Sequence, residues 1–115
     1  MVADLTTGEI IAAKNAHQPR LPASTQKVLT AVTLLPRLDP KGIYQATAED
    51  VAVIGSKVGI REGSTYRISN LFEALFLRSG NDAAMALANA NGGVDGTVAQ
   101  MAVEARRLGA LNTVP

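Results

Sequence analysis

Strand-forming sequence comes only in short pieces in this chain, and that limits the folds open to it. Residues 2–5 and 9–12 read as two strands, with Thr6-Thr7-Gly8 as a hairpin turn in which glycine can take a positive φ. Two strands at one end cannot make a stable sheet face alone. Residues 43–47 and 51–54 are further short candidates, punctuated by Gly42, Gly55, Gly59 and Gly63. Lys14 to Pro22 is polar, holds two prolines and reads as a loop.

Helical patterning accounts for most of the rest. A helix is predicted from near Ser24 to about Leu38, with Val28, Leu29, Val32 and Leu35 at three- and four-residue spacing and Pro36 and Pro40 at its end. Ser69 can cap a helix over residues 71–77, with Glu73 near its positive end. A helix over residues 82–89 should end at Gly92-Gly93, and its alanines give it a small-residue face for close packing. Asp95 can cap a last helix reaching Leu108 and stopping at Gly109. The Tyr66 and Phe72 region reads as core. The expected class is α/β of the α+β type: a helical subdomain with the first strands of a sheet whose adjoining part lies outside this chain.

Composition narrows the function. The apolar fraction of 47% and charged fraction of 18% fit a folded chain. Net charge is +1, and Arg106-Arg107 is the only basic doublet. Nucleic-acid binding, which needs a concentrated positive patch, is therefore not expected. Without cysteine there are no disulfides and no thiolate chemistry. Asp4, Glu9, Glu49, Asp50 and Glu62 do not have metal-ligand spacing, and His17 is the sole histidine, so neither metal nor other cofactor is expected. No apolar run is long enough to cross a membrane. Met1-Val2-Ala3-Asp4 lacks the charged and apolar regions of a signal peptide.

The chemistry concentrates in Ser24-Thr25-Gln26-Lys27, where a loop turns into a helix. A serine hydroxyl is a weak nucleophile until a base takes its proton. Residues i and i+3 share a helix face, so Lys27 can bring its amine to Ser24. To act as a base the lysine must be neutral, a state favoured by burial or a neighbouring cation. The helix start also offers free N–H groups for an oxyanion. Ser-x-x-Lys by itself is a weak signal, expected by chance roughly 0.3–0.5 times in a chain this long. Its structural alternative is an N-cap serine and a solvated lysine. Ser79-Gly80-Asn81 adds a second group of polar residues, in the break between two helices. Ser79 can relay a proton to or from Lys27, and Asn81 offers donor and acceptor to a substrate amide. The alternative there is an ordinary helix-connecting turn. A Ser24–His17–Asp triad is disfavoured, since His17 sits in a polar, proline-bounded loop seven residues earlier.

The two motifs, in this order and 55 positions apart, resemble the penicillin-recognising serine acyl-transferases. Pro22-Ala23-Ser24-Thr25-Gln26-Lys27 and Ser79-Gly80-Asn81-Asp82-Ala83-Ala84 resemble the D-alanyl-D-alanine carboxypeptidases, the type 5 low-molecular-mass penicillin-binding proteins. Asp4-Leu5-Thr6-Thr7-Gly8-Glu9, Gly55-Ser56-Lys57-Val58-Gly59 and the segment from Ala105 to Thr113 extend the resemblance over nearly the whole chain. It implies the β-lactamase/transpeptidase-like fold, with Ser24 as the acylated nucleophile and Lys27 as its base. Ser79 would return the proton to the leaving D-alanine, and Asn81 would hold the substrate backbone. The implied substrate is a peptidoglycan stem peptide, with β-lactams as covalent mimics and an extracytoplasmic location.

Two departures stand out. Ala102 follows Met101 where the family often has asparagine, and the family's downstream Lys-Thr-Gly strand does not occur before Pro115. Residues 1–115 are therefore expected to be a partial serine D,D-peptidase domain, roughly half of one, inactive without the rest. The alternatives are a piece of a class A β-lactamase, disfavoured by Ser-Gly-Asn in place of Ser-Asp-Asn, and a non-catalytic muropeptide-binding module.

Overall fold

Small side chains allow helices to approach closely, and the alanine-rich segment in the middle of this chain becomes the hub of the fold. The computed structural model describes all 115 residues. Helix α4 (Asn81–Ala90) packs against α1 (Gln26–Leu34), the single-turn α2 (Ala48–Val51), α3 (Ile68–Arg78) and α5 (Val94–Arg107). Its Ala83, Ala86 and Leu87 are fully buried, beside Leu34 of α1 and Leu71 and Leu75 of α3. Two separate antiparallel strand pairs flank the helices: β1 (Val2–Ala3) with β2 (Ile10–Ala12), and β3 (Ile43–Gln45) with β4 (Thr65–Arg67). The mixed α+β class expected from the sequence is the one observed.

Several boundaries differ from the sequence pattern, each for a local reason. Residues 51–54 do not form a strand. Thr47 and Asp50 make a capping box that starts the helical turn α2, and the chain then leaves it at Ala52. The partner of β3 is instead β4, in the register Ile43 to Arg67, Tyr44 to Tyr66 and Gln45 to Thr65. Ser69 is not the cap of α3, which begins one residue earlier. The N–H groups of Ile68 and Ser69 are bonded to the carbonyls of Gly42 and Pro40, so no side-chain cap is needed. Asp95 likewise lies inside the first turn of α5, behind the N-cap Gly93. The expected glycine stops do hold. At the end of α4, Gly92 takes φ +97, Gly93 N–H bonds to the Ala88 carbonyl and Gly92 N–H to that of Asn89. This is a Schellman closure in which a side chain at position 92 would be strained.

Helix α1 shows the largest departure. It starts from a 3-10 turn (Ala23–Thr25) and ends at Leu34. The predicted apolar stripe does not face the helical core. Val28, Val32 and Leu35 are exposed, and Thr30, Ala31, Thr33 and Leu34 are buried instead. Both sets recur at helical spacing, and it is the set with the threonines and alanine that faces α5 and α4. The Thr30 hydroxyl reaches the Met101 sulfur of α5 at 3.8 Å, and only the Thr33 hydroxyl is buried without a partner. The exposed stripe leaves an apolar groove, lined by Val28, Leu29, Val32 and Leu108, along the outer side of α1. The N-terminal strands are exposed as well.

A buried carboxylate ties the smaller elements to the hub. Asp50 is fully buried and accepts hydrogen bonds from the Tyr44 hydroxyl (2.9 Å), the Thr47 N–H (2.7 Å) and the Asn89 carboxamide (2.7 Å). It thereby joins β3, α2 and α4 at one point. Burial, followed by the hydrogen bond to Asp50, raises the Tyr44 pKa above its usual value.

The packing predicts a contrast within adjacent helices. Leu87→Ala, in the fully buried centre of α4, should lower unfolding stability by about 2–5 kcal/mol. Leu77→Ala, on the exposed side of α3, should change it by no more than about 0.5 kcal/mol. Urea unfolding followed by circular dichroism measures both, and equal losses would contradict the arrangement of the core.

Candidate active site

The geometry of the Ser24 region follows from how the chain enters α1. Thr25 N–H bonds back to the Pro22 carbonyl at 3.1 Å, which closes the tight turn that carries Ser24. Ala23, just before the serine, is held at φ +48. One turn further on, Lys27 folds back, and its Nζ donates to the Ser24 hydroxyl oxygen at 3.4 Å. The serine is exposed and the lysine half-buried.

The second group arrives from the break between α3 and α4. Ser79 ends α3 in the left-handed region (φ +55, ψ +37), which turns its hydroxyl toward α1. Lys27 Nζ donates to Ser79 Oγ at 3.3 Å and to Asn81 Oδ1 at 2.6 Å. Three oxygens from three places in the sequence thus surround one amine. Lys27 has no carboxylate within 4 Å, and the one ion pair of the chain is Arg107 with Glu104. All four residues singled out in the sequence come together, across 52 and 54 positions for the lysine's two distant partners. His17 is exposed in its loop.

Asn81 has its orientation fixed from both ends. On one side the carboxamide oxygen accepts from the Lys27 amine at 2.6 Å. The amide nitrogen donates to the Ile54 carbonyl at 2.6 Å. Each end keeps one further hydrogen-bonding capacity for an incoming group. The backbone N–H of Asn81 also bonds to the Ser56 carbonyl at 2.7 Å. Gly55 lies between those two carbonyls at φ +96, and a Cβ there would stand 2.7 Å from Asn81 Nδ2. Together these residues wall an open cleft of about 540 Å³, lined by Ser24, Gln26, Lys27, Thr30, Gly55, Ser56 and Asn81 among others.

Sequence reasoning missed how the cleft wall is held. Asp82, next to Asn81, is 1% exposed and accepts the N–H groups of Val58 (3.0 Å), Gly59 (2.9 Å), Ile60 (3.0 Å) and Ala83 (3.0 Å). Burial alone would raise its pKa, but the four backbone donors outweigh that and hold it below the usual carboxylate value. The available signal was an acidic residue in the first turn of the helix that follows Gly80, in a chain whose 55–59 segment begins and ends with glycine.

What such an arrangement can do is limited but specific. It presents a solvent-accessible hydroxyl to an amine, with a second hydroxyl placed to exchange protons with that amine and a carboxamide on the same wall. No acid–histidine pair takes part. The set suits proton removal from an attacking hydroxyl and delivery to a leaving group.

Known proteins share this framework. The family model described as D-alanyl-D-alanine carboxypeptidase matches residues 1–114. The D-alanyl-D-alanine carboxypeptidase DacB2 of Mycobacterium tuberculosis is 41% identical over 113 residues, which cover 98% of this chain and 39% of that protein. The crystal structure of a D-alanyl-D-alanine carboxypeptidase from M. tuberculosis H37Rv superposes with a TM-score of 0.94 at 40% identity, over 98% of this chain and 43% of that one. Penicillin binding protein 6B from Escherichia coli superposes at 0.86 with 33% identity, over 93% and 37% of the respective chains. The chain therefore spans about two-fifths of the length of these relatives.

The Asp82 environment gives a pH prediction with a definite sign. Its pKa is lowered on folding from an ordinary value of 3.8, so its contribution to stability is present above 3.8 and is lost as pH falls through the lower folded-state value. Urea midpoints of the wild type and Asp82→Asn should differ most at neutral pH and converge as the medium is acidified below 3.8. A gap that widens on acidification would contradict the four-donor arrangement.

Proposed function

The chain belongs to the D-alanyl-D-alanine carboxypeptidase family, and on that premise we propose that Ser24 is the nucleophile of a serine D,D-peptidase completed by further sequence. The substrate is the D-Ala-D-Ala end of a peptidoglycan stem peptide, met on the cell-wall side of the membrane. The observation that carries this reading is the Lys27 amine within hydrogen-bonding reach of Ser24, Ser79 and Asn81 at once.

The roles follow from that contact set. Ser24 Oγ attacks the carbonyl carbon of the terminal peptide bond, and the Lys27 amine takes its proton as the C–O bond forms. The Ser24 N–H, to which no backbone acceptor is bonded, stabilises the oxyanion, together with a donor from outside this chain. The C–N bond then breaks. The leaving D-alanine amine receives the proton from Lys27 by way of the Ser79 hydroxyl, leaving an ester on Ser24. Water adds to the ester carbonyl as Lys27 takes its proton, the acyl C–O bond to Ser24 breaks, and that proton passes to Ser24 Oγ, so the shortened peptide leaves and the serine is regenerated. Asn81 uses its remaining amide capacity to hold the substrate backbone beside Ser24. A β-lactam enters the same route, because its strained amide presents an equivalent carbonyl to the serine.

Residues 1–115 contain the nucleophile and the proton-transfer groups, whereas the family's Lys-Thr-Gly strand belongs to the opposite wall of the cleft. The isolated polypeptide is therefore expected to react slowly with β-lactams, lacking one oxyanion donor and the cation that aligns the substrate.

Labelling with a fluorescent penicillin tests the reading. In protein carrying the complete catalytic domain, the wild type should label at Ser24 and Ser24→Ala should not label at all. Lys27→Ala should slow acylation by about 10²–10⁴-fold, the range for loss of a general base. Unchanged labelling of Ser24→Ala would refute the assignment, and rapid labelling of residues 1–115 alone would refute the need for the missing wall.

A further inference from the structure

Asn81 sits between Lys27 and a loop that it does not itself control. Its carboxamide nitrogen donates to the Ile54 carbonyl, its backbone N–H to the Ser56 carbonyl, and Gly55 packs against its side chain. The short segment 54–60 has no regular secondary structure to fix these carbonyls in place. What fixes it is Asp82. One carboxylate gathers three consecutive loop N–H groups, from Val58, Gly59 and Ile60, and closes on Ala83 at the start of α4. Gly80 completes the fit, since a Cβ there would stand 2.8 Å from the Asp82 carboxylate and 3.0 Å from Val58.

We propose that Asp82 is a positioning residue for acylation of Ser24: it holds loop 54–60, the loop holds the Asn81 carboxamide, and the carboxamide holds the Lys27 amine against Ser24 and Ser79. The proposal rests on the functional reading above and adds to it a residue that touches neither substrate nor the reacting atoms. Asn81 Oδ1 is the lysine's shortest contact, at 2.6 Å against 3.3 and 3.4 Å for the two hydroxyls. A shift of the loop therefore reaches the base through that contact. Misplacing a reacting group by about 1 Å can cost on the order of 100-fold in rate.

A double-mutant cycle separates positioning from a merely structural role. The acylation rate constant with excess fluorescent penicillin, and the thermal midpoint, are measured in protein with the complete catalytic domain for wild type, Asp82→Asn, Asn81→Ala and the double variant. Asp82→Asn should slow acylation about 10- to 100-fold in the wild-type background. With Asn81 already truncated it should slow it less than about twofold, because the link to Lys27 is gone. Its loss of thermal midpoint should be similar in both backgrounds. An equal rate loss in both backgrounds, or none in either, overturns the proposal while leaving Ser24 as nucleophile intact. Failure of the wild type to label at Ser24 overturns both. Should Asp82→Asn not yield folded protein, Gly80→Ala takes its place in the cycle, since its Cβ would stand 2.8 Å from the Asp82 carboxylate and 3.0 Å from Val58. The same non-additivity supports the proposal, and a full acylation rate in Gly80→Ala defeats it.

Discussion

A charged carboxylate removed from water must find donors, and at the start of α4 the only ones on hand are backbone N–H groups. Asp82 meets that demand with three consecutive residues of an otherwise irregular loop and one of its own helix. Desolvation is thereby converted into order, because the loop cannot move without stranding a buried charge. The first residues of α4, the loop beside them and the corner at Ser79 then behave as one piece, and the amine of α1 docks against it. A second buried acid, Asp50, is hydrogen-bonded near the other end of α4, where it joins β3, α2 and Asn89. The helical hub is thus held at two points by buried acids, with apolar packing between them.

The parts of this molecule legible in its sequence were those governed by neighbours in the chain. Glycine stops after α4 and α5, the turn at Thr6-Thr7-Gly8 and the placing of Ser24 three residues before Lys27 all depend on local geometry. Partner-dependent features were not legible. Residues 51–54 are apolar enough for a strand, but the capping box at Thr47 and Asp50 commits the chain to a helical turn just before them. Ser69 and Asp95 are good caps by type, yet carbonyls of Pro40 and Gly42 had already satisfied the start of α3, and Gly93 stands as N-cap of α5. On α1 the larger side chains drew the prediction, while burial went to Thr30, Ala31, Thr33 and Leu34, on the face turned to α5 and α4. Periodicity finds that a face exists. It does not say which of two faces meets the hub.

The cleft divides in the same way. The serine and lysine share one helical turn and could be paired from spacing alone. Their meeting with Ser79 and Asn81 depends on the break between α3 and α4, for which the sequence offered only a plausible turn. Asp82 was hidden for a different reason. Its partners are main-chain groups, and no residue type in the loop announces that its N–H will be used. Resemblance to a family supplied the missing long-range information, and the family match bears on the framework as a whole rather than on any one contact.

Ser79 occupies a conformation that asparagine or glycine would adopt at less cost, with φ at +55. Glycine at this corner would relax the backbone, yet it would also erase the oxygen that faces the amine. Robustness and the proton relay proposed for Ser79 therefore compete for the same residue. Efforts to make such a scaffold more heat-resistant should leave this corner alone, however attractive its torsion angles make it as a target.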